Sequence, residues 1–215
     1  RSGSIAGHRV EDYVEVATAF GSEEARRLAL VELNVSCPNT STGRQFGDDP
    51  GLLSEVVSAV TEVLGPKPCL VKLSPGNADM ATLCDAVVHA GAAGLTLLNT
   101  IPAMAIDPET RRSRIGRRAG GLSGPAVHPI AVRAVYDTHA HRTEFERPVD
   151  IVGLGGVSRW QDVVEFMLAG ANAVGVGTGF FFDPRLVDRL LKDVERWLER
   201  QPEAEIAAVI GGCLE

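Results

Sequence analysis

Apolar positions along the chain change their spacing at regular intervals. Residues 10–20 place Val10, Tyr13, Val14 and Ala17 on one face at helical spacing. Residues 22–29 extend that helix or form a second short one. Residues 31–36 (VELNVS) then read as a strand, stopped by Cys37-Pro38-Asn39. Asp49-Pro50 marks a helix start, a capping residue followed by proline at the first helical position. That helix uses Leu52, Leu53, Val56, Val57, Val60 and Leu64 and stops at Gly65-Pro66. Residues 69–73 (CLVKL) form a short buried strand, Asp79 caps a helix that ends at Gly91, and residues 94–99 return to a strand.

Residues 101–124 break this rhythm, being long, polar and basic, with five arginines among residues 111–118. They read as a loop or hairpin inserted over the end of the fold. A helix over 128–140 opens near Pro129, and 142–148 is a charged connection. The strand 149–154 ends in Gly155-Gly156, and Ser158 with Gln161 predicts a capping box for a helix over 159–169. The strand 173–177 ends at Thr178, Asp183-Pro184 starts a helix to about residue 200, and the apolar tail 204–213 reads as a further short helix.

Strands alternating with helices predict an α/β fold with a parallel sheet and right-handed crossovers. Apolar strands predict burial on both faces. An open doubly wound sheet and a (β/α)8 TIM barrel both fit this pattern. The polar residues favour the barrel. Asn34, Lys72, Asn99, Gly155 and Gly177 fall at the C-terminal ends of five successive strands. A barrel gathers all such ends round one mouth, whereas an open sheet gathers only those at its switch point. No sequence repeat of 20–50 residues stands out beyond the β-α period itself.

Composition changes this picture little. The 215 residues are 45% hydrophobic and 23% charged, which suits one packed domain over 1–215 and argues against disorder. A formal net charge of −7 argues against nucleic-acid binding through bulk charge. No apolar run reaches the ~18 residues of a membrane span, so no membrane partner is expected. The four cysteines, 37, 69, 84 and 213, lack metal spacing, and a reduced cytoplasmic protein is the plain expectation.

Candidate chemistry gathers at the strand ends. In Asn34-Val35-Ser36-Cys37-Pro38-Asn39, two amides flank a thiol on a loop leaving a strand. Amides both donate and accept, which suits a substrate rich in carbonyl and N–H groups. A thiol there could act as a base or nucleophile, or could pack as a small hydrophobe. Lys72 interrupts an apolar strand, a costly placement unless it meets an anion, an electron-rich ligand or solvent at the strand end. The glycine sites 120–124, 155–156 and 177 each precede a helix, where free backbone N–H groups bind anions. The arginines 111, 112, 114, 117 and 118 form a solvated loop or an anion clamp. His8, His89, His128, His139 and His141 show no pairing that suggests a metal, and none is expected.

These stretches resemble the dihydroorotate dehydrogenases, FMN-dependent barrel enzymes of pyrimidine biosynthesis. The resemblance runs through ELNVSCPN (32–39), VKLSP (71–75), LLNT (97–100), GGLSGPAVHPIA (120–131), GLGGV (153–157) and AGANAVGVGTG (169–179), in family order. It implies oxidation of dihydroorotate to orotate. Cys37 would be the base that removes the C5 proton, as in the soluble classes, while hydride passes from C6 to the flavin. The resemblance places Asn34, Asn39, Asn99 and Thr100 on the substrate. It places Asn34, Lys72, Leu98, Gly124, Gly155, Gly156, Gly177 and Thr178 on FMN. GGLSGPA and Asn99-Thr100 look most like the NAD-linked class 1B. That class implies a partner subunit carrying FAD and a 2Fe–2S cluster, and a homo-oligomer is expected. A related flavin domain of dihydropyrimidine dehydrogenases is the alternative within the same chemistry.

The family's pattern starts earlier than this chain does. Residues 3–17 (GSIAGHRVEDYVEVA) look like the end of the third barrel strand and its helix. Six of eight strand–helix units are therefore expected, the first strand a stub, with a family lysine and an Asn-containing substrate loop missing. Six strands cannot close a barrel of eight. A partial barrel with open edges, in the limit a non-catalytic one, is the expectation from that count.

Overall fold

The computed structural model describes residues 1–36, 46–74, 79–116, 118–202 and 205–213. Cys37, Asn39 and Arg117, singled out above, lie outside the described residues. The strands are β1 (Ser2–Ala6), β2 (Leu30–Asn34), β3 (Cys69–Leu73), β4 (Gly94–Leu97), β5 (Ile101–Ala103), β6 (Ile106–Asp107), β7 (Arg112–Ser113), β8 (Gly120–Leu122), β9 (Asp150–Leu154) and β10 (Ala173–Gly175). The α-helices are α1 (Val10–Gly21), α2 (Pro50–Leu64), α3 (Met80–His89), α4 (His128–His141), α5 (Trp160–Leu168), α6 (Thr178–Phe182) and α7 (Leu186–Leu198).

Six strands pair in parallel in the order β1-β2-β3-β4-β9-β10. Spatial order follows chain order without reversal. A doubly wound sheet reverses at a switch point, and this one does not. The helices follow the same sequence, α1 on α2, α2 on α3, α3 on α4, α4 on α5 and α5 on α7. The result is part of a TIM-barrel wall with one layer of helices outside it. The sheet begins at β1 and ends at β10, and β5–β8 and β6–β7 form two small antiparallel ladders apart from it.

Side-chain alternation explains the two faces. Ile5, Val31, Leu33, Val71, Leu73, Leu95, Leu97 and Ile151 are buried and join one cluster with Val56, Val60, Leu83, Val87, Val135 and Phe166 from the helices. The alternate positions point the other way. Across the register Ala6, Asn34, Lys72, Thr96 and Val152 form one row on that inner face. There Thr96 Oγ1 donates to Glu32 Oε2 at 2.7 Å, giving the carboxylate a partner inside the wall.

Local signals set the helix starts. The Asp49 side chain accepts from the N–H groups of Gly51 and Leu52, with Pro50 at the first helical position. Such a cap is worth about 1 kcal/mol. Asp79 caps α3 through the Thr82 N–H. Cys69 and Cys84 are core residues, and burial pushes both thiols up to about 12, which leaves them unreactive.

Several expectations shift. The first strand is not a stub, because β1 pairs with β2 from Ser2↔Leu30 to Ala6↔Asn34. Strands β2, β4 and β10 end earlier than the apolar run suggests, so Ser36, Asn99 and Gly177 stand in loops beyond the ladder. Ser158 does not box with Gln161. Asp162 is the acceptor, taking the Ser158 N–H, the Ser158 hydroxyl and the Arg159 N–H on Oδ2, and α5 begins at Trp160. Burial pushes the Asp162 carboxyl up, but the hydrogen bonds from Ser158 and Arg159 outweigh it and hold it below its ordinary value. Asp183-Pro184 does not open a helix directly; α7 starts at Leu186, and the short α6 precedes it. Within the tail only Ile206–Ala208 make a 3-10 turn.

His139, on α4, has a ring nitrogen that is buried without a hydrogen-bond partner among the described residues. Burial and the nearby Arg142 lower its pKa. The unfolded chain therefore binds a proton that the fold resists. The contribution to stability is complete above the unfolded histidine value and is lost as pH falls through it towards the folded one. In thermal unfolding followed from neutral to mildly acidic pH, wild type should lose more stability than His139→Gln. Identical pH slopes for the two proteins would contradict this.

Candidate functional site

The C-terminal ends of β3, β4, β9 and β10 border a cavity of about 380 Å³. Lys72 from β3, Leu98, Asn99 and Thr100 after β4, and Leu122, Ser123 and Gly124 from the end of β8 line it. Gly155 and Gly156 after β9, and Gly177 and Thr178 after β10, complete the wall with Phe182, Asp183, Leu186 and Arg189. Nine residues singled out from sequence therefore meet in one space: Lys72, Leu98, Asn99, Thr100, Gly124, Gly155, Gly156, Gly177 and Thr178. Asn34 is not on that lining but is bonded to it. The catalytic thiol expected at Cys37 and the amide expected at Asn39 lie outside the described residues, so the geometry is silent on both.

Two backbone donors orient the amides at the rim. The Ser36 N–H points at one atom of the Asn34 side chain at 3.3 Å, and a backbone N–H can only donate, so that atom is Oδ1. The Thr100 N–H likewise marks Asn99 Oδ1 at 2.8 Å. The facing atom is then Asn99 Nδ2, which donates to Asn34 Oδ1 at 2.8 Å and to Ser36 Oγ at 2.6 Å. Both Asn99 amide hydrogens are spent within this network. The Asn34 amide hydrogens are not, since neither has a partner among the described residues. Asn34 thus offers donors to a ligand, while Asn99 braces it and keeps only an acceptor lone pair. Tyr13 donates to the Asn34 carbonyl at 2.9 Å and holds the same residue from behind.

The exit of β4 is tied to both neighbours. The Leu98 N–H donates to Leu154 O at 2.7 Å, and the Asn99 N–H to Leu73 O at 2.9 Å. On the far side, Thr178 Oγ1 donates to Ser123 Oγ at 2.9 Å and links the inserted arm, residues 101–124, to the start of α6 after β10. The arm lies close: a Cβ on Gly121 would stand 2.1 Å from Thr100 Oγ1.

The donor set suits a flavin mononucleotide. Among the described residues no carboxylate pairs with Lys72, so its cation is available to an electron-rich ring. Gly156 has φ +70°, and a Cβ there would stand 2.8 Å from both Gly124 O and His128 Cβ. Only glycine gives this turn both its backbone and its close approach, which leaves N–H groups open to a phosphate.

Ser36 and Ser123 carry hydrogen bonds that sequence reasoning had not assigned, although both sit inside the quoted motifs. One of the histidines, His128, does gather carboxylates in the fold. His128, Asp162 and Glu165 place ligand-type atoms within 4.8 Å of one another. The partners of His128 stand 27 and 37 positions further along the chain, a distance no local pattern reveals.

Comparisons with known proteins give the family. Residues 2–198 match the family model described as dihydroorotate dehydrogenase. A dihydroorotate dehydrogenase B (NAD(+)) catalytic subunit of Shouchella clausii is 39% identical over 210 residues, covering 97% of this chain and 66% of that protein. A Solibacter usitatus protein, described provisionally as dihydroorotate dehydrogenase A (fumarate), is 43% identical over 97% of this chain and 66% of its own length. The chain therefore spans about two thirds of these relatives. A solved DHODH of Eimeria tenella in complex with ferulenol shares the fold, with TM-score 0.75 and 22% identity over 94% of this chain and 57% of that one.

Gly156→Ala should destabilise the chain by about 2 kcal/mol through left-handed strain and the close contacts at Gly124 and His128. Urea denaturation measures this, and a midpoint equal to wild type would contradict the packing described.

Proposed function

The chain belongs to the dihydroorotate dehydrogenase family, and on that premise we propose that it oxidises dihydroorotate to orotate with FMN at the cavity. The observation that carries this reading is the convergence of the end of β3, of the loops after β4, β9 and β10, and of the arm on one space. Lys72 enters it from β3, and the paired glycines close it at β9 and β10. A ligand cavity of a few hundred Å³ with a small number of placed polar groups is the expected form of such a site.

FMN, when bound, supplies the acceptor for the hydride that leaves substrate C6. The remaining work belongs to the protein. Lys72 holds negative charge at the flavin pyrimidine ring. The Asn34 amide donates to a substrate carbonyl or carboxylate, and the Asn99 brace prevents that amide from flipping. Asn39 and Thr100 complete the substrate contacts that the family resemblance assigns. Cys37 follows Ser36 directly and takes the C5 proton. The N–H groups near Gly124, Gly155, Gly156, Gly177 and Thr178 meet the ribityl chain and phosphate. Residues 1–215 act in this reading as one FMN-binding barrel domain, with 101–124 as its arm over the mouth.

The electron acceptor beyond the flavin follows the NAD-linked relatives. A partner subunit with FAD and a 2Fe–2S cluster takes the electrons, in a homo-oligomeric cytoplasmic assembly. Among the described residues no helix is long and apolar enough to cross a membrane.

Anaerobic mixing tests the reaction. The flavin-loaded chain should bleach with dihydroorotate and not with dihydrouracil, since only the former carries the carboxylate. Bleaching with dihydrouracil alone would favour dihydropyrimidine chemistry, and no bleaching with either would contradict the proposal. Asn34→Ala should weaken orotate binding by about tenfold, the scale of one lost hydrogen bond to a charged group. Cys37→Ser should bind orotate as wild type does yet slow flavin reduction by at least about a hundredfold, the range of general-base catalysis. Stopped-flow reduction at wild-type rate would exclude Cys37 as the base.

A further inference from the structure

His128 occupies the first position of α4, directly beneath the Gly155–Gly156 turn. Its Nδ1 lies 2.9 Å from the Gly155 carbonyl oxygen, and its Nε2 lies 2.7 Å from Glu165 Oε2. A carbonyl oxygen accepts only, and so does an ionised carboxylate. A neutral imidazole has one N–H, and would set a lone pair against one of these oxygens. A proton on Nδ1 lets the ring donate to the Gly155 oxygen, the arrangement that sets no lone pair against that carbonyl.

A metal ion does not suit the same cluster. Asp162, whose Oδ1 is 3.9 Å from His128 Nε2, already accepts from Arg159 Nε on that oxygen and from Ser158 and Arg159 on the other. Both ring nitrogens of His128 are engaged as well. The charged groups facing the ring are Glu165 and Asp162 from α5, with Arg159 behind Asp162, and the edge contact with Phe166 adds no charge.

We propose that His128, backed by Glu165, is a positioning residue that locks the Gly155–Gly156 peptide so that the Gly156 N–H faces the ligand phosphate. The inference rests on the FMN reading above. This peptide is trans, so its C=O and N–H point in opposite directions. Tethering the Gly155 oxygen to the ring aims the Gly156 N–H away from it, and the N–H has no partner among the described residues. Gly155 and Gly156 both line the cavity. Without the tether the two glycines are free to rotate the peptide and turn an oxygen towards the phosphate.

The apo chain, titrated with FMN and with riboflavin under flavin fluorescence, tests the lock. Riboflavin lacks the phosphate. His128→Leu should lose about tenfold in FMN affinity and keep its riboflavin affinity. His128→Lys, which restores a donor, should recover part of the loss. Glu165→Ala, at a half-exposed position where folding is not at stake, should weaken FMN binding in the same selective way. Nitrogen-15 spectra of the wild-type ring should show Nδ1 protonated with or without flavin. Unchanged FMN affinity in His128→Leu and Glu165→Ala, equal losses for both flavins, or a bare Nδ1 would overturn the lock. In that event wild-type FMN binding would stand and the functional reading with it. A wild-type chain that binds neither flavin would instead overturn the FMN reading, and the phosphate role of the lock would fall too.

Discussion

All six strands of the main sheet run in one direction, in chain order, and the rest of the site depends on this. Parallel pairing sends every strand's C-terminal end to the same rim. Residues that are tens of positions apart in the chain then share a row: Asn34, Lys72 and Thr96 are register neighbours across β2, β3 and β4. The connection between parallel strands must cross over, and here each major crossover is a helix on the outer face. The inner face and the rim are left to polar groups. The same constraint that buries Val31, Leu33, Val71 and Leu95 therefore also exposes the functional side chains to one another.

Convergence alone does not make a binding site; orientation does. Two backbone N–H groups, from Ser36 and Thr100, decide which way the amides of Asn34 and Asn99 face. Asp162 fixes the start of α5 by gathering hydrogen bonds from Ser158 and Arg159, and α5 in turn presents Glu165 to His128. The glycine turn after β9 is thereby held from below by side chains that do not line the cavity. Loops supply the contacts, and helices with fixed ends supply the precision.

Much of this was legible in the sequence. Asp49-Pro50 and Asp79 announced helix starts because capping chemistry is local. Strand–helix alternation and polar strand ends pointed to a barrel, and the family likeness to a partial one. The glycine pairs and Lys72 pointed to one rim before any family likeness was weighed. What escaped notice depended on distance or on competition between neighbours. Gln161 stood at box spacing from Ser158, yet Asp162, one position later, has the shorter, ionised side chain and took the cap. The bracing role of Asn99 depends on Asn34, 65 positions away. His128 gave no local sign because both of its acceptors come from a later strand–helix unit. Strand ends were overrun because apolar residues continue past the last ladder bond.

The proposed function requires that these strand ends form one flavin-phosphate-to-substrate track. A crystal structure of the chain grown with FMN and orotate decides this. The phosphate should lie within hydrogen-bond reach of the Gly156 N–H and the Gly177–Thr178 loop, with the flavin ring against Lys72 and orotate at the Asn34 amide. Flavin density elsewhere on the molecule, or a phosphate turned away from the glycine turns, would contradict it.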